Sequence, residues 1–183
     1  LATDMYVPAF PLVASDLSAS ATQVQLTLTT YFVGMALGQL IGGPDSDSRG
    51  RRLPLLVSLI VMTVASVVCA FAPSIVVMMA ARLLQGLSGG WAMVTSRAIV
   101  VDLASGHRLV RALNTIAGVG GIAPIVGPLL GTIILQLSHW RVSFWVVAAF
   151  GLAMTVAVAL GVPDSLPLQQ RHGGGLGQFL GAT

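Results

Sequence analysis

The chain has 183 residues, of which 55% are hydrophobic and only 8% are charged. A soluble domain carries about 25% charged residues, so this composition excludes an ordinary soluble protein and indicates a polytopic membrane protein. The net charge of +3 is too small and too dispersed to favour nucleic acid as a partner. The single cysteine, Cys69, excludes a disulfide within the chain and a cysteine-based metal site.

Six apolar segments follow one another along the chain, separated by short polar links. They cover residues 1–14, 24–43, 53–72, 74–101, 112–137 and 142–162. A helix needs about 20 residues to cross the hydrocarbon core, so we expect a truncated first helix followed by five spanning helices in one transmembrane bundle. Residues 163–183 are polar and rich in glycine, which predicts the start of a central loop.

The arginines predict the orientation of this bundle. The links after the second and fourth segments and the tail carry Arg49, Arg51, Arg52, Arg108, Arg111 and Arg171. The opposite side carries only Arg141. Because positively charged links stay in the cytoplasm, we expect the N-terminus and the central loop to be cytoplasmic.

Glycines at helical spacing predict close contacts between helices. In the second segment, Gly34, Gly38 and Gly42 recur at every fourth position and therefore share one face. In the fifth segment, Gly127 and Gly131 are also four positions apart and face one neighbour. Small residues at these positions let helix backbones approach each other closely in lipid.

Residues 43–52, GPDSDSRGRR, place two acids and three bases in the link between the second and third segments. One interpretation is a solvated turn whose positive charge orients the protein. The alternative is a latch, in which an aspartate and an arginine pair with each other or with another helix and hold one conformation. In a latch Asp47 matters most, whereas in an orienting turn it does not, because acids contribute little to topology.

The same ten residues, as G-P-x-S-D-x-x-G-R-R, resemble the loop signature of the major facilitator superfamily. Residues 3–11, TDMYVPAFP, are similar to the first-helix signature of its Bcr/CflA group of drug-resistance exporters. Residues 82–86, RLLQG, resemble the fourth-helix motif of proton-coupled members. Residues 120–131 resemble the fifth-helix motif associated with antiporters, and residues 140–145, WRVSFW, fit the start of the sixth helix. The matches fall in family order over nearly the whole chain.

The charged link departs from the family pattern at two positions. The family usually has an apolar residue where Asp45 stands and an aromatic residue where Arg49 stands. Both departures add charge to the link between the second and third segments.

The resemblance implies an all-α fold of twelve helices in two six-helix halves, of which this chain resembles the N-terminal half. It implies proton-coupled efflux, a drug:H+ antiport of small amphipathic compounds by alternating access, in a bacterial inner membrane. The partners are then membrane lipid, a small-molecule substrate, protons and the C-terminal six-helix half. No cofactor is expected, since the proton gradient supplies the energy, and the protein is not expected to be an enzyme.

Three polar residues are candidates for coupling protons to substrate. Asp4 lies about ten residues before the outer end of its segment, or roughly 15 Å deep at helical rise. A charge at that depth costs several kcal/mol unless it is paired or hydrated, so it indicates function. Arg82 lies at a similar depth in the fourth segment, and Gln85, three residues on, shares its helix face. Each arginine or aspartate here also has a purely structural interpretation.

The resemblance further implies a cytoplasmic gate and an antiporter-type packing motif. The gate residues are Gly43, Asp47, Gly50, Arg51, Arg52, Arg97 and Asp102. In the family, pairing of Asp102 with Arg51 holds the inward side shut, although a merely structural ion pair is the alternative. The packing residues of the fifth helix are Gly120, Pro124, Gly127, Pro128 and Gly131.

Two other functions are alternatives to this interpretation. A metabolite-specific facilitator or symporter is the first alternative; a membrane-embedded enzyme is the second and needs a cluster of His, Asp or Ser that the sequence does not show. His107, His139 and His172 are scattered over links and tail, so no metal site is predicted. The remaining aromatic and methionine residues of interest either line an apolar cavity or simply pack: Tyr6, Tyr31, Met35, Trp91 and Met93.

Overall fold

The computed structural model describes residues 2–162, and the predicted central loop, with Arg171 and His172, lies outside them. A 3-10 turn, Val7–Ala9, precedes six α-helices. They are α1 (Phe10–Asp16), α2 (Ala21–Arg49), α3 (Arg52–Phe71), α4 (Ile75–Leu103), α5 (Gly106–Leu137) and α6 (Arg141–Gly161). The predicted all-α fold is confirmed for this part of the chain.

Five of these helices, α2 to α6, are long and apolar enough to cross a membrane. The first segment forms only the 3-10 turn and the seven-residue α1. Successive long helices are joined by links of two or three residues. They therefore run in alternate directions. The C-terminal ends of α2 and α4 share one end of the bundle with the N-terminal ends of α3 and α5. This end is called the Arg51 end below, and the opposite one the Asp16 end.

Helix α2 begins at a capping box. The Ser20 hydroxyl accepts a hydrogen bond from the Gln23 amide at 3.2 Å, and the Ser20 amide donates to the Gln23 side chain at 2.8 Å. These two bonds satisfy amides that have no partner inside the helix. The polar link between the first two segments thus has a defined helix start.

Helix α2 extends further than the sequence predicts. The charged link at 43–52 is mostly helical, because α2 continues through Pro44 and ends only at Arg49. The chain then reverses at Gly50, whose φ of 88° lies in the left-handed region that glycine adopts without steric cost. The link is therefore a helix end and a tight turn.

Local polar contacts explain why this end stays helical. The Ser46 hydroxyl donates to the Gly43 carbonyl at 2.9 Å. This carbonyl directly precedes Pro44, which has no amide hydrogen to donate. Two ion pairs at i,i+4 spacing lie along the same stretch: Asp45 with Arg49 at 3.1 Å and Asp47 with Arg51 at 2.5 Å. The first pair lies within α2 and stabilises it by about 0.2–0.5 kcal/mol, whereas the second spans the turn at Gly50.

The contact between α2 and α4 is the most extensive in the bundle. Gly34 and Gly38 lie against the α4 backbone around Leu87, and Gly42 lies against Trp91. A β-carbon at any of the three would overlap these atoms. The predicted close-packed glycine face of the second segment is confirmed.

Helix α4 contributes two glycines to the same contact, for which the sequence analysis predicted no packing role. Gly86 lies against the Tyr31 carbonyl and Gly90 against the Met35 carbonyl of α2. Gly86 and Gly90 have the same four-residue spacing as the glycines of α2. Gly86 is also the last residue of the motif at 82–86. The two glycine faces together allow backbone-to-backbone approach.

The Asp16 end is tied together by one ion pair and its neighbours. Arg141 pairs with Asp16, and the Trp140 indole donates to the same carboxylate at 3.2 Å. Arg141 also donates to the Ala72 carbonyl after α3 at 3.1 Å. The hydrogen bond from Arg141 holds the pKa of Asp16 below its ordinary value.

Candidate functional site

Arg82 lies fully buried inside the bundle. Its Nη1 donates to the Gln85 side-chain oxygen at 2.8 Å and to the Ala2 carbonyl at 3.0 Å. Gln85 in turn donates to the Ser66 hydroxyl of α3 at 2.7 Å. The prediction that Arg82 and Gln85 share a helix face is confirmed. Through the Ala2 carbonyl, Arg82 also contacts the chain two residues before Asp4.

Three aromatic rings surround the same guanidinium. The Arg82 Cζ lies 4.2 Å from the ring centre of Tyr6, 5.0 Å from that of Phe144 and 5.3 Å from that of Tyr31. All three distances are within the range of cation–π attraction. We call these three rings the aromatic cage.

Asp4 lies partly buried at the start of the described chain, where the Thr3 hydroxyl donates to it at 3.3 Å. Gly127 of α5 packs directly on the β-carbon of Asp4. One turn further, Gly131 packs on the backbone of Met5. The structure therefore brings the acidic candidate and the fifth-helix motif into contact, which the sequence analysis did not anticipate.

The other residues of the fifth-helix motif are placed differently. Gly120 has open space around it, and Pro124 is exposed. Pro128 is half-buried, and its carbonyl accepts a hydrogen bond from Thr132 at 2.9 Å. Within residues 2–162, only Gly127 and Gly131 of this motif make close helix contacts, because α5 touches the first segment along just one short stretch.

Arg51 is the centre of a polar cluster at the Arg51 end. Its Nε donates to Asp102 of α4 at 2.9 Å, and its Nη1 donates to Asp47 at 2.5 Å and to the Ser46 hydroxyl at 2.7 Å. The predicted contact between Arg51 and Asp102 is confirmed. We call these four residues the Arg51 cluster; it joins the ends of α2 and α4 at the turn into α3.

The exposures within this cluster differ. The side chain of Arg51 is 11% exposed and that of Asp102 is 21% exposed, whereas that of Asp47 is 52% exposed. Exposed ion pairs are screened by water and contribute little. The contact across the helices, Arg51 with Asp102, is therefore the stronger of the two.

The remaining gate candidates lie around this cluster. Arg52 donates to the Ala159 carbonyl near the end of α6 at 2.5 Å. A β-carbon at Gly43 would make only ordinary contact with Val94, at 3.9 Å. Arg97, which was expected to pair with the charged link, is exposed, and within residues 2–162 it is not among the partners of Arg51. Five residues separate it from Asp102, so at about 100° per residue the two point to different faces of α4.

An apolar cavity of about 430 Å³ lies among the helices. Tyr31, Met35 and Met93 line it, as the sequence analysis considered. Tyr6 instead lies in the core beside Arg82. Trp91 packs against Gly42 and borders a much smaller cavity with Asp45 and Arg49.

Sequence reasoning missed several neighbours of Arg82. Ser66, Thr27 and Phe144 all lie in or beside its site, and the Thr27 and Tyr6 hydroxyls are hydrogen-bonded at 3.0 Å. The available signal was a polar residue inside an apolar span, since Ser and Thr side chains commonly bond across membrane helices. Phe144 carried no such signal, because an aromatic residue in a span usually packs.

Comparison with known proteins places this geometry in a family. The family model described as Major Facilitator Superfamily matches residues 1–180. A human organic anion transporter of known structure, MFSD10 (TETRAN), superposes with a TM-score of 0.63 at 23% identity over 92% of this chain and 40% of its own. At that identity the likeness supports the fold alone.

Three curated relatives are closer in sequence. An MFS-type transporter of Bacillus subtilis (strain 168), YdgK, is 42% identical over 170 residues, which are 92% of this chain and 42% of the relative. A bicyclomycin resistance protein homolog of Haemophilus influenzae is 37% identical over 92% of this chain and 42% of its own length. The multidrug resistance protein MdtL of Escherichia coli is 33% identical over 82% and 39%. The chain thus spans about two fifths of the curated relatives that it matches.

Proposed function

Because this chain belongs to the Major Facilitator Superfamily, we propose that it is the first six-helix half of a proton-coupled exporter of small amphipathic compounds. It is a multi-pass helical membrane protein, and two of its relatives carry the names bicyclomycin resistance protein homolog and multidrug resistance protein. These names support export of drugs. The proposal adds that the exported compound is exchanged for protons.

The contact between Gly127 and Asp4 carries the proposal. When a helix packs against a carboxylate, that contact depends on whether the carboxylate is protonated. The charged form needs hydration or a cationic partner, and the neutral form does not. Asp4 stands two residues after the carbonyl that Arg82 binds. Proton binding at Asp4 would therefore change the balance of contacts at both α5 and α4.

The Arg51 cluster has a complementary part in this proposal. It closes the Arg51 end by joining α2 and α4, and it stabilises the state in which that end is shut. By the positive-inside rule, the arginines at this end support a cytoplasmic side for it in a bacterial inner membrane. The two six-helix halves then rock about a site near the membrane midplane, alternately exposing it to either side.

The test uses the complete transporter in proteoliposomes, with ethidium as the probe and a pH-sensitive dye inside. Wild-type protein should move ethidium against its gradient when a pH gradient is imposed, with protons moving in the opposite direction. Asp4→Asn should abolish both movements while leaving insertion intact. Asp45→Asn, which changes an aspartate paired with Arg49 of its own helix, is the matched control and should retain them.

Three outcomes would contradict the proposal. Coupled export by Asp4→Asn would remove Asp4 from the mechanism. Protons moving in the same direction as the compound would indicate a symporter. Failure of the wild-type protein to move ethidium, with no change in a drug-susceptibility panel that includes bicyclomycin, would indicate a metabolite-specific facilitator.

A further inference from the structure

We infer that Phe144 and Tyr6 are positioning residues that hold the Arg82 guanidinium in one orientation inside the bundle. Any effect on proton coupling rests on the proposed function above, whereas the positioning itself does not. Phe144 comes from α6 and Tyr6 from the segment before the 3-10 turn. These two rings connect Arg82 to two parts of the chain. Among the described residues, no side chain of either part accepts a hydrogen bond from Arg82.

The hydrogen bonds of Arg82 leave most of its guanidinium unmatched. Only Nη1 donates, to Gln85 and to the Ala2 carbonyl. Nε and Nη2 are buried and have no hydrogen-bond partner within residues 2–162. An arginine bound through one terminal nitrogen can rotate about that contact, so something else must fix its plane.

The aromatic cage supplies the missing contacts. The ring centres of Tyr6 and Phe144 lie 4.2 and 5.0 Å from Cζ, with that of Tyr31 at 5.3 Å. A cation over such rings is attracted more strongly when it is desolvated than when it is exposed to water. In a fully buried site this attraction offsets part of the cost of the two unmatched nitrogens.

The rings that hold Arg82 are themselves held. Tyr6 is hydrogen-bonded to Thr27 at 3.0 Å and packs edge-on against Phe10 at 5.1 Å. Phe144 packs against Tyr6 at 5.4 Å and edge-on against Trp140 at 6.0 Å. Tyr6 and Phe144 are therefore connected to each other and belong to one buried core cluster.

Phe144 also connects Arg82 to the Asp16 end. Its neighbour Trp140 lies under the Arg141 guanidinium at 4.3 Å, and Arg141 pairs with Asp16. A displacement of α6 would thus move a ring of the cage and with it the charge of Arg82. The titratable groups around Arg82 are Tyr6, Tyr31 and Cys69, with Asp4 close to Tyr31.

The first experiment measures the position of Arg82 directly in this chain. With arginine labelled in 15N, the Arg82 Nε–H resonance is identified by its loss in Arg82→Lys. If the cage holds the guanidinium in one orientation, hindered rotation about its Nε–Cζ bond should keep the Nη1 and Nη2 resonances separate. Phe144→Leu should let the group rotate and merge these two resonances, whereas Phe144→Tyr, which keeps the ring, should not. Phe71→Leu, at a 68% exposed phenylalanine of α3, is the matched control.

A purely structural role of Phe144 predicts a different result. Phe144→Leu would then lower the unfolding temperature and leave the Nη1 and Nη2 resonances of Arg82 separate in the folded protein. That outcome overturns the inference. It is independent of transport, so it is distinguishable from a failure of the proposed function.

The second experiment measures the pH dependence of ethidium export by the complete transporter. Phe144→Leu should shift the pH midpoint by about one unit, the size expected when a contact of cation–π strength is lost. The shift should return to zero in Phe144→Tyr and should be absent when Phe144→Leu is made in an Arg82→Lys background. If Asp4→Asn abolishes coupling while Phe144→Leu leaves the midpoint unchanged, the positioning role in coupling is wrong. If Asp4→Asn leaves coupling intact, the proposed function fails and the resonance of Arg82 alone decides the inference.

Discussion

Gly127 of α5 packs on the β-carbon of Asp4, so the glycine motif of one helix touches the acid of another segment. No side chain fits at position 127 while Asp4 keeps its place. The spacing of Gly127 and Gly131 in the sequence implies a neighbour for this face but cannot identify it. The contact turns a packing motif and a candidate proton site into one structural unit.

The first prediction concerns this contact. Gly127→Ala should displace the Asp4 side chain, because the new β-carbon would overlap it. We expect coupled ethidium export by the complete transporter to fall about tenfold or more, with the protein still inserted; a shift of about 1.4 kcal/mol in the conformational balance is enough for that factor. Gly120→Ala, on the same helix but with open space around it, is the matched control. Normal coupling in Gly127→Ala would show that the two residues separate during function.

The second prediction compares two glycines of α2. Gly38→Ala should lower the stability of the chain in detergent by about 1–3 kcal/mol, because its β-carbon would overlap the Leu87 backbone, which cannot move aside. Gly43→Ala should be neutral or slightly stabilising, since only ordinary contact with Val94 results and alanine favours the helix. Thermal unfolding of both variants measures the difference. Equal unfolding temperatures would mean that α2 and α4 can separate without cost.

The third prediction concerns the Arg51 cluster, where the structure changes the expected order of importance. Asp102→Asn should weaken the closed Arg51 end by about 1–3 kcal/mol, since this bond joins two helices and is largely shielded from water. Asp47→Asn should cost less than about 1 kcal/mol, because its side chain is half exposed. With Cys69 replaced, single cysteines placed in the inner cavity of the complete transporter should label faster from the Arg51 side in Asp102→Asn.

Asp45→Asn is the matched control for this experiment. Asp45 pairs with Arg49 of its own helix and therefore does not join α2 to α4. Its labelling rates should match those of the wild-type protein. If Asp102→Asn labels no faster than this control and transport stays normal, the charged link only orients the protein.

The fourth prediction is a pH dependence of stability at the Asp16 end. The Arg141 hydrogen bond lowers the pKa of Asp16 in the folded protein, so the carboxylate stabilises the fold fully above its unfolded pKa of about 3.9. This contribution is lost as pH falls below that value toward the folded pKa. The difference in unfolding temperature between wild-type protein and Asp16→Asn should therefore be constant near pH 6 and shrink below about pH 4. A difference that is unchanged at low pH would mean that the ion pair does not contribute.

Much of the architecture could be predicted from the sequence. Lipid leaves backbone amides no water to bond, so long apolar segments must form helices. The helical period then assigned residues to faces, which is why Arg82 with Gln85 and the stripe of Gly34, Gly38 and Gly42 were located correctly. Helix ends were less accurate, because hydrophobicity stops at Gly43 while an ion pair and a serine hydrogen bond support the continuation of α2 to Arg49.

What the sequence by itself determined is the helical membrane fold, its family and the face on which each polar residue lies. What only the tertiary structure decided is which faces meet: Gly127 with Asp4, Phe144 with Arg82, and Arg97 away from the Arg51 cluster. The physical reason is that spacing along a helix depends on local backbone geometry alone. The choice of partner depends on how six helices jointly fill space, and no single segment contains that information.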